Sequence, residues 1–165
     1  MMDSVKTEQR LLNELRSRGL TFAAAESCTG GLIAKRITDL SGASAVFRGG
    51  VVSYTNDVKR DVLGVPQALL DEYGAVSAPV AQAMAEGVRR ITGADLGVSV
   101  TGVAGPDRDD RGNEVGTVYL AVSTAQDAYV TLFRFDGDRA AIRTAAADTA
   151  FSLLLRQPNE NQFTN

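Results

Sequence analysis

Short apolar segments alternate with amphipathic ones along most of this chain, and this alternation limits the folds that it can adopt. The short apolar runs are typical of buried strands. The segments between them place their apolar residues at the three- and four-residue spacing of a helix. Strands that alternate with helices form a sheet that is covered on both faces. The sequence therefore predicts an α/β protein.

The same pattern predicts the order of the elements. Helices are expected at 5–17, 31–40, 56–63, in a short segment after Pro66, at 77–92 and at 138–156, and strands at 20–25, 49–54, 95–100, 115–123 and 129–135. A short polar turn joins the last two strands, which we expect to pair as an antiparallel hairpin. The sheet is therefore expected to be mixed, within a three-layer α/β/α domain.

The chain length predicts a single domain, because 165 residues are too few for two full cores. We expect residues 1–157 to form this domain and residues 158–165 to form a flexible C-terminal tail. A long polar loop at 101–114 separates a predicted strand from the hairpin, and loops of this length in a compact domain are often functional.

The composition excludes several classes of site. The chain has one cysteine and no histidine, so it can form neither an internal disulfide, nor a zinc site of Cys and His ligands, nor a Ser-His-Asp triad. A formal net charge of −3 without a basic stripe argues against nucleic-acid binding. The charged N-terminal segment is unlike a signal peptide, and no apolar run approaches the ~20 residues of a membrane helix. A cytoplasmic protein is expected.

The stretch FAAAESCTGG, residues 22–31, places Ser27 where a predicted strand gives way to a helix. In open α/β sheets ligands bind at the carboxyl ends of strands. The N–H groups at the start of the following helix could bind a phosphate there, or hold an oxyanion if Ser27 attacks a carbonyl. The alternative is structural: Ser27 or Thr29 caps the helix, and the glycines make the turn.

A serine nucleophile in this chain needs a base other than histidine, and Lys59 in SYTNDVKRD is the candidate. With Asn56 as N-cap, Lys59 would lie in the first turn of a helix, whose dipole disfavours a cation. Asp57 and Asp61 would oppose that effect, so the sequence leaves the sign open. Tyr54 could relay a proton or orient the lysine. Alternatively, this segment is an ordinary solvated helix face.

Cys28 is a second potential nucleophile, because a thiolate at a helix N-terminus needs no partner. A lone cysteine among small residues is more often a packing residue, and Ser27 is the better candidate. The glycines of TGVAGP, 101–106, could let backbone amides approach a phosphate, although their spacing matches no phosphate-binding motif. Arg139 and Arg143 share one face of the last helix and suit a phosphate, a carboxylate or a surface ion pair. The acidic residues at 107–114 show no metal-ligand spacing, so no metal is expected.

Three motifs together carry a resemblance to a known family. They are A-E-S-C-T-G-G around Ser27, Y-T-N-x-x-K from Tyr54 to Lys59, and G-x-A-G-P at 102–106. Over roughly residues 8–155 the chain closely resembles the CinA C-terminal domain family. The characterised activity of that family is the deamidation of nicotinamide mononucleotide to nicotinate mononucleotide and ammonia, without a metal or another cofactor.

The resemblance implies roles for individual residues. Ser27 matches the family's nucleophile, and Tyr54 and Lys59 match its activating pair. The resemblance also implies a substrate pocket, whose predicted residues are Thr29, Gly30, Gly31, Thr101, Gly102, Gly105 and Arg139, with Arg139 on the phosphate of the substrate. It further implies a homodimer or a larger homo-oligomer.

The chain departs from the family pattern in two respects. Its loop after AGPD reads RDDRGNE, whereas the family's loop is usually glycine-rich and includes a proline. This difference bears on loop conformation and substrate preference. Many family members carry a larger N-terminal domain that this chain lacks, so a stand-alone deamidase is expected. The rival interpretations are a non-catalytic nucleotide-sensing or partner-binding domain of the competence and DNA-damage response, and a metal-dependent pyrophosphatase.

Overall fold

The computed structural model describes residues 4–160, with the side chains of residues 7–157. The helices are α1 (Ser4–Arg18), α2 (Leu32–Thr38), α3 (Asn56–Asp61), α4 (Gln67–Tyr73), α5 (Ala78–Thr92) and α6 (Arg139–Glu160), with a short 3-10 turn at Ala43–Ala45. The strands are β1 (Phe22–Glu26), β2 (Phe47–Val52), β3 (Leu96–Gly102), β4 (Thr117–Ser123) and β5 (Ala128–Arg134).

The five strands form one mixed sheet in the order β2-β1-β3-β4-β5. Strand β1 pairs in parallel with both β2 and β3, whereas β4 is antiparallel to β3 and to β5. The predicted fold class and the predicted hairpin are therefore confirmed. The carboxyl ends of the three parallel strands meet at one edge of the sheet, and this edge carries the candidate site.

The sheet lies between two helical layers, and the alternation of side chains along β1 shows why. Phe22 and Ala24 face a core that includes apolar residues of α1, α2 and α6. Ala23 and Ala25 face a second core that includes apolar residues of α5. All five residues of β1 are buried. The AAA run thus lies between the two cores, where small side chains let helices approach from both sides.

The element boundaries differ from the prediction by a few residues. Strand β2 begins at Phe47 rather than residue 49, because Phe47 pairs with Phe22 across the sheet and their ring centroids lie 5.1 Å apart. Helix α6 continues to Glu160 instead of ending near residue 156. The predicted tail from residue 158 therefore begins inside this helix, and residues 161–165 of the tail lie outside the described residues.

Helix α5 approaches the segment that follows α3 at a glycine. Gly87 is buried in α5, and a Cβ atom there would overlap the backbone carbonyl of Leu63, which follows α3. Arg90, one turn further along α5, donates a hydrogen bond to the same carbonyl. Only a residue without a side chain permits this approach.

We expect Gly87→Ala to lower the free energy of unfolding by about 1–3 kcal/mol, since the new methyl group must displace backbone rather than a flexible side chain. This loss should exceed the roughly 1 kcal/mol that alanine gains over glycine in a helix. Denaturant unfolding measures the difference. The matched control Glu86→Ala, at an exposed position of the same helix, should stay within about 0.5 kcal/mol of wild type. Equal stabilities of Gly87→Ala and wild type would contradict the close contact.

Candidate active site

The turn that carries Ser27 begins directly at the carboxyl end of β1. The N–H of Ser27 still donates to the carbonyl of Val100 on β3, at 2.9 Å, so the sheet fixes the residue's backbone. The chain then turns through Gly30 and Gly31, whose φ angles of 59° and 105° suit glycine. The turn directs the chain into α2 within five residues of the strand.

Helix α2 is capped by a residue of the preceding strand. The two carboxylate oxygens of Glu26 accept the N–H groups of Ile33 and Ala34, at 2.8 and 3.1 Å, and Glu26 is only 1% exposed. The N-cap position itself is Gly31, without a side-chain hydrogen bond. The structural alternative for Ser27 and Thr29, that one of them caps this helix, is therefore wrong, and the Ser27 hydroxyl is left for another partner.

That partner is Lys59. Its Nζ donates to the Ser27 Oγ at 3.0 Å and to the carbonyl oxygen of Ser53 at 2.8 Å. Lys59 is 1% exposed and Ser27 is 8% exposed. Ser53 follows β2 and is held by β1, because its N–H and its hydroxyl both donate to the carbonyl of Glu26. The ends of two neighbouring strands thus fix both partners of the pair.

The helix that carries Lys59 starts one residue earlier than its predicted cap. Its N-cap is Thr55, whose side chain accepts the N–H of Val58, and the prediction of Asn56 as N-cap is wrong. Asn56 is instead the first helical residue, so Lys59 is the fourth rather than the third.

Burial is the main cause of the pKa shift of Lys59. Removal from water lowers the pKa of its amine from 10.5 to about 8, because the charged form loses its hydration. The two aspartates expected to oppose this effect are exposed and form ion pairs with Arg60. The shift that the sequence left open is therefore towards the neutral form, which becomes a substantial fraction of the amine near pH 8.

Cys28 is less suited than Ser27 to act as a nucleophile. The residue is buried, and this burial raises the pKa of its thiol to about 11, so the thiol stays protonated near neutral pH. Its carbonyl accepts a hydrogen bond from Arg143 at 3.0 Å, as does the carbonyl of Thr29. Arg143 therefore stabilises the turn through its backbone carbonyls and is not among the residues that line the pocket described next.

Ser27 and Lys59 open into a pocket of about 290 Å³ at the carboxyl edge of the sheet. Its lining residues are Ser27, Cys28, Tyr54, Asn56, Lys59, Ala75, Val76, Thr101, Gly102, Ala104 and Arg139. The buried serine and lysine form its floor, whereas Tyr54, Asn56 and Arg139 are exposed and lie towards its mouth. A ligand with a reactive group at one end and an anion at the other suits this polarity.

The mouth of the pocket is organised by Arg139. Its guanidinium donates to the carbonyl of Gly105 at 2.7 Å and to the hydroxyl of Tyr54 at 3.1 Å. Tyr54 is 58% exposed, and within the described residues its hydroxyl bonds to Arg139 and not to Ser27 or Lys59. The predicted part of Tyr54 in activating the serine therefore stays a prediction.

The structure brings some of the predicted substrate residues to the pocket and places others behind it. Thr101, Gly102 and Arg139 line it, and Gly105 borders it through its hydrogen bond to Arg139. Thr29, Gly30 and Gly31 are not among its lining residues. Thr29 is fully buried, and its Oγ1 has no hydrogen-bond partner in the described part of the chain.

Four residues have a part in the site that the sequence did not predict. Ser53 offers the second acceptor for Lys59, Glu26 caps α2, and Ala75 and Val76 form an apolar wall. A carboxylate at the last position of an apolar strand, directly before a glycine turn, is the one signal that could have identified Glu26. The wall residues carry no such signal, because two small apolar residues between helices are common.

Among the residues that the structure describes, no three acidic, cysteine or histidine side chains come together as a metal-binding group. In the same range, every helix is too short or too polar to traverse a lipid bilayer.

The chain is similar in sequence to proteins of one family. The family model described as the CinA C-terminal domain matches residues 4–157. A CinA-like protein of Geobacter sulfurreducens is 56% identical over 142 residues, which are 86% of this chain and 34% of that protein. The chain spans little more than a third of the length of the curated relatives that it matches.

Solved structures share the whole fold. A protein of the competence-damaged protein (CinA) superfamily from Klebsiella pneumoniae superposes with a TM-score of 0.94 at 30% identity, over 96% of this chain and 99% of the other. The competence/damage inducible protein CihA from Agrobacterium tumefaciens gives a TM-score of 0.90 at 40% identity, over 95% and 98% of the two chains.

The burial of Lys59 predicts how stability depends on pH. Since the pKa of this amine falls from 10.5 to about 8 on folding, the unfolded chain holds the proton more tightly, and stability rises with pH between these values. Lys59→Met removes this contribution. Relative to that variant, the unfolding free energy of wild type should increase by on the order of 3 kcal/mol from pH 7 to pH 10.5. Denaturant unfolding of both proteins across this range measures it, and a pH-independent difference would refute the buried-amine assignment.

Proposed function

The chain belongs to the CinA C-terminal domain family, and we propose that it is a metal-independent amidohydrolase that converts nicotinamide mononucleotide to nicotinate mononucleotide and ammonia. The observation that carries this proposal is the hydrogen bond of 3.0 Å between the Lys59 Nζ and the Ser27 Oγ. It joins a nucleophile to a base whose pKa burial lowers to about 8. This is the arrangement that nucleophilic catalysis requires in a chain without histidine.

The first step forms a bond between the Ser27 Oγ and the carboxamide carbon of the substrate. As this bond forms, the neutral Lys59 amine accepts the hydroxyl proton. The carbonyl of Ser53 keeps the amine oriented throughout, because it accepts a hydrogen bond from Nζ at 2.8 Å. The negative charge moves to the carbonyl oxygen of the substrate, which needs hydrogen-bond donors.

Helix α2 does not offer free donors for this oxyanion, because the N–H groups of Ile33 and Ala34 are already bound to the carboxylate of Glu26. Cys28 directly follows Ser27 and lines the pocket, and we assign the oxyanion to its backbone N–H. Arg143 donates to the carbonyls of Cys28 and Thr29, which keeps the turn in place.

The remaining steps return the enzyme to its starting state. The Lys59 ammonium gives its proton to the amide nitrogen as the carbon–nitrogen bond breaks. Ammonia departs, and the acyl group of the substrate remains as an ester on Ser27. A water molecule then attacks the ester carbon while Lys59 accepts one of its protons. Lys59 returns this proton to the Ser27 Oγ as the carbon–oxygen bond breaks, and nicotinate mononucleotide is released.

The mouth of the pocket supports the choice of a nucleotide substrate. Arg139 presents a guanidinium group there, and arginine suits the geometry of a phosphate oxygen pair. Its present partners, the Gly105 carbonyl and the Tyr54 hydroxyl, are both neutral. A phosphate would therefore meet a cation whose charge is not neutralised by these two partners.

We expect Ser27→Ala to reduce ammonia release from nicotinamide mononucleotide by at least ~10³-fold, and Lys59→Met to reduce it comparably, because the two side chains act as one unit. Cys28→Ala should retain activity within about tenfold, since its thiol is protonated. Ammonia release is measured with and without a chelator.

Three results would contradict the proposal. They are turnover by Ser27→Ala near the wild-type rate, loss of activity with chelator, and binding of nicotinamide mononucleotide by a folded wild-type protein that releases no ammonia. The last result would favour a non-catalytic nucleotide-sensing domain.

The pH dependence of the reaction should report Lys59. Because the amine must be neutral to accept a proton and its pKa is about 8, kcat/KM should rise about tenfold per pH unit below 8 and level off above it. The initial rates at low substrate concentration between pH 6 and pH 9.5 give this profile. A rate that is flat between pH 6 and pH 8 would exclude Lys59 as the base.

A further inference from the structure

We propose that Arg111 is a positioning residue that sets the apolar wall of the pocket, Ala75 and Val76, and thereby the affinity for the aromatic part of the substrate. Arg111 does not line the pocket. It acts from the loop between β3 and β4, through the end of helix α4. The proposal rests on the proposed function for the identity of the substrate.

Arg111 binds the C-terminus of α4 through both terminal nitrogens of its guanidinium group. Nη1 donates to the carbonyl of Glu72 at 3.0 Å, and Nη2 donates to the carbonyls of Leu70, at 3.2 Å, and Asp71. The last carbonyls of a helix lack partners within it and carry the negative end of the dipole, so a cation is favoured here. The planar fork of arginine can reach three carbonyls at once, whereas the compact ammonium of lysine cannot.

The contact extends to the residue that ends the helix. Gly74 follows α4 with a φ of 77°, and a Cβ atom there would lie 2.9 Å from the Cγ of Arg111. The arginine stem therefore packs directly over the point where the chain leaves α4. The next two residues are the wall, so the position of Arg111 fixes where the wall begins.

The wall is also fixed from its other side. The hydroxyl of Thr101, at the end of β3, donates to the carbonyl of Ala75 at 2.8 Å. The hydroxyl of Ser77 donates back to the carbonyl of Gly74 at 2.8 Å. The wall segment, residues 74–77, is thus held between the sheet and the loop, and Arg111 provides the contact that comes from the loop.

The loop presents Arg111 in a defined conformation. One carboxylate oxygen of Asp109 accepts the N–H groups of Arg111 and Asn113, at 3.1 and 2.7 Å. The other accepts the side-chain amide of Asn113 at 2.8 Å. Among the described residues, Arg108 of the same loop bonds within the loop, to Gly112 and Glu114, and so offers a matched control.

The wall has the chemistry of a surface for a flat ring. Ala75 and Val76 are its apolar members, and they lie in the same pocket as the Ser27–Lys59 pair. Ala75 and Val76 make no chemical contribution to the reaction. Displacing them should therefore weaken the binding of the substrate and of the transition state equally. Such uniform weakening raises KM and leaves kcat unchanged.

The test compares Arg111→Ala, Arg111→Lys and Arg108→Ala with wild type. For Arg111→Ala we expect KM for nicotinamide mononucleotide to rise about tenfold, which is the typical effect of losing a hydrogen bond from a charged group. The value of kcat should stay within about twofold of wild type. Arg111→Lys should be intermediate, and Arg108→Ala should match wild type. Hydrogen–deuterium exchange in peptides covering residues 70–77 should be faster in Arg111→Ala than in wild type, intermediate in Arg111→Lys and unchanged in Arg108→Ala.

An unchanged KM in Arg111→Ala would overturn the proposal, whether or not exchange is faster, and so would a fall in kcat at constant KM. The dissociation constant of nicotinamide mononucleotide, measured for the same proteins, separates this proposal from the proposed function. A wild type that binds the nucleotide without releasing ammonia refutes the reaction, and weaker binding by Arg111→Ala would then still support the role of Arg111. No binding by wild type would overturn both.

Discussion

A primary amine buried beside a serine hydroxyl is the interaction on which the rest of this site depends. Lys59 is 1% exposed, and the cost of burying it appears as the fall of its pKa to about 8. At its ordinary pKa of 10.5 the amine would be almost wholly charged at neutral pH, whereas a pKa of about 8 leaves part of it neutral. The fold therefore has to bury most of the lysine and still offer Nζ two oxygen partners, those of Ser27 and Ser53.

Both partners are supplied by strand ends, which explains why the parallel half of the sheet carries the site. Ser27 follows β1, Ser53 follows β2, and backbone hydrogen bonds between neighbouring strands fix them relative to each other. Glu26 adds a further constraint, because its side chain holds the start of α2 while its carbonyl holds Ser53. One residue thus connects the turn of the serine with the acceptor of the lysine.

The sequence predicted the fold class, the strand order along the chain and the pairing of the last two strands, since these follow from apolar periodicity and turn residues. It also brought Ser27 and Lys59 together as a candidate pair by excluding histidine. It could not predict the pKa shift of Lys59, because this shift comes from burial in the folded protein. Nor could it predict that Glu26 caps α2, or that Arg111 contacts α4 from about 40 residues away, because long-range hydrogen bonds leave no periodic signal.

The alanine run of β1 has a consequence for how the site responds to change. Alanine has no side-chain rotamers, so this part of the strand before Ser27 has no side chain of its own that could rotate to absorb a displacement. Any adjustment must come from the larger side chains of the flanking helices, which pack against both faces of β1. Ser27 consequently follows a strand segment whose own packing has a single arrangement. The backbone position of Ser27 is therefore closely defined, but the strand before it tolerates little change. Amino-acid substitutions in this domain should accumulate at the rim of the pocket rather than beneath it.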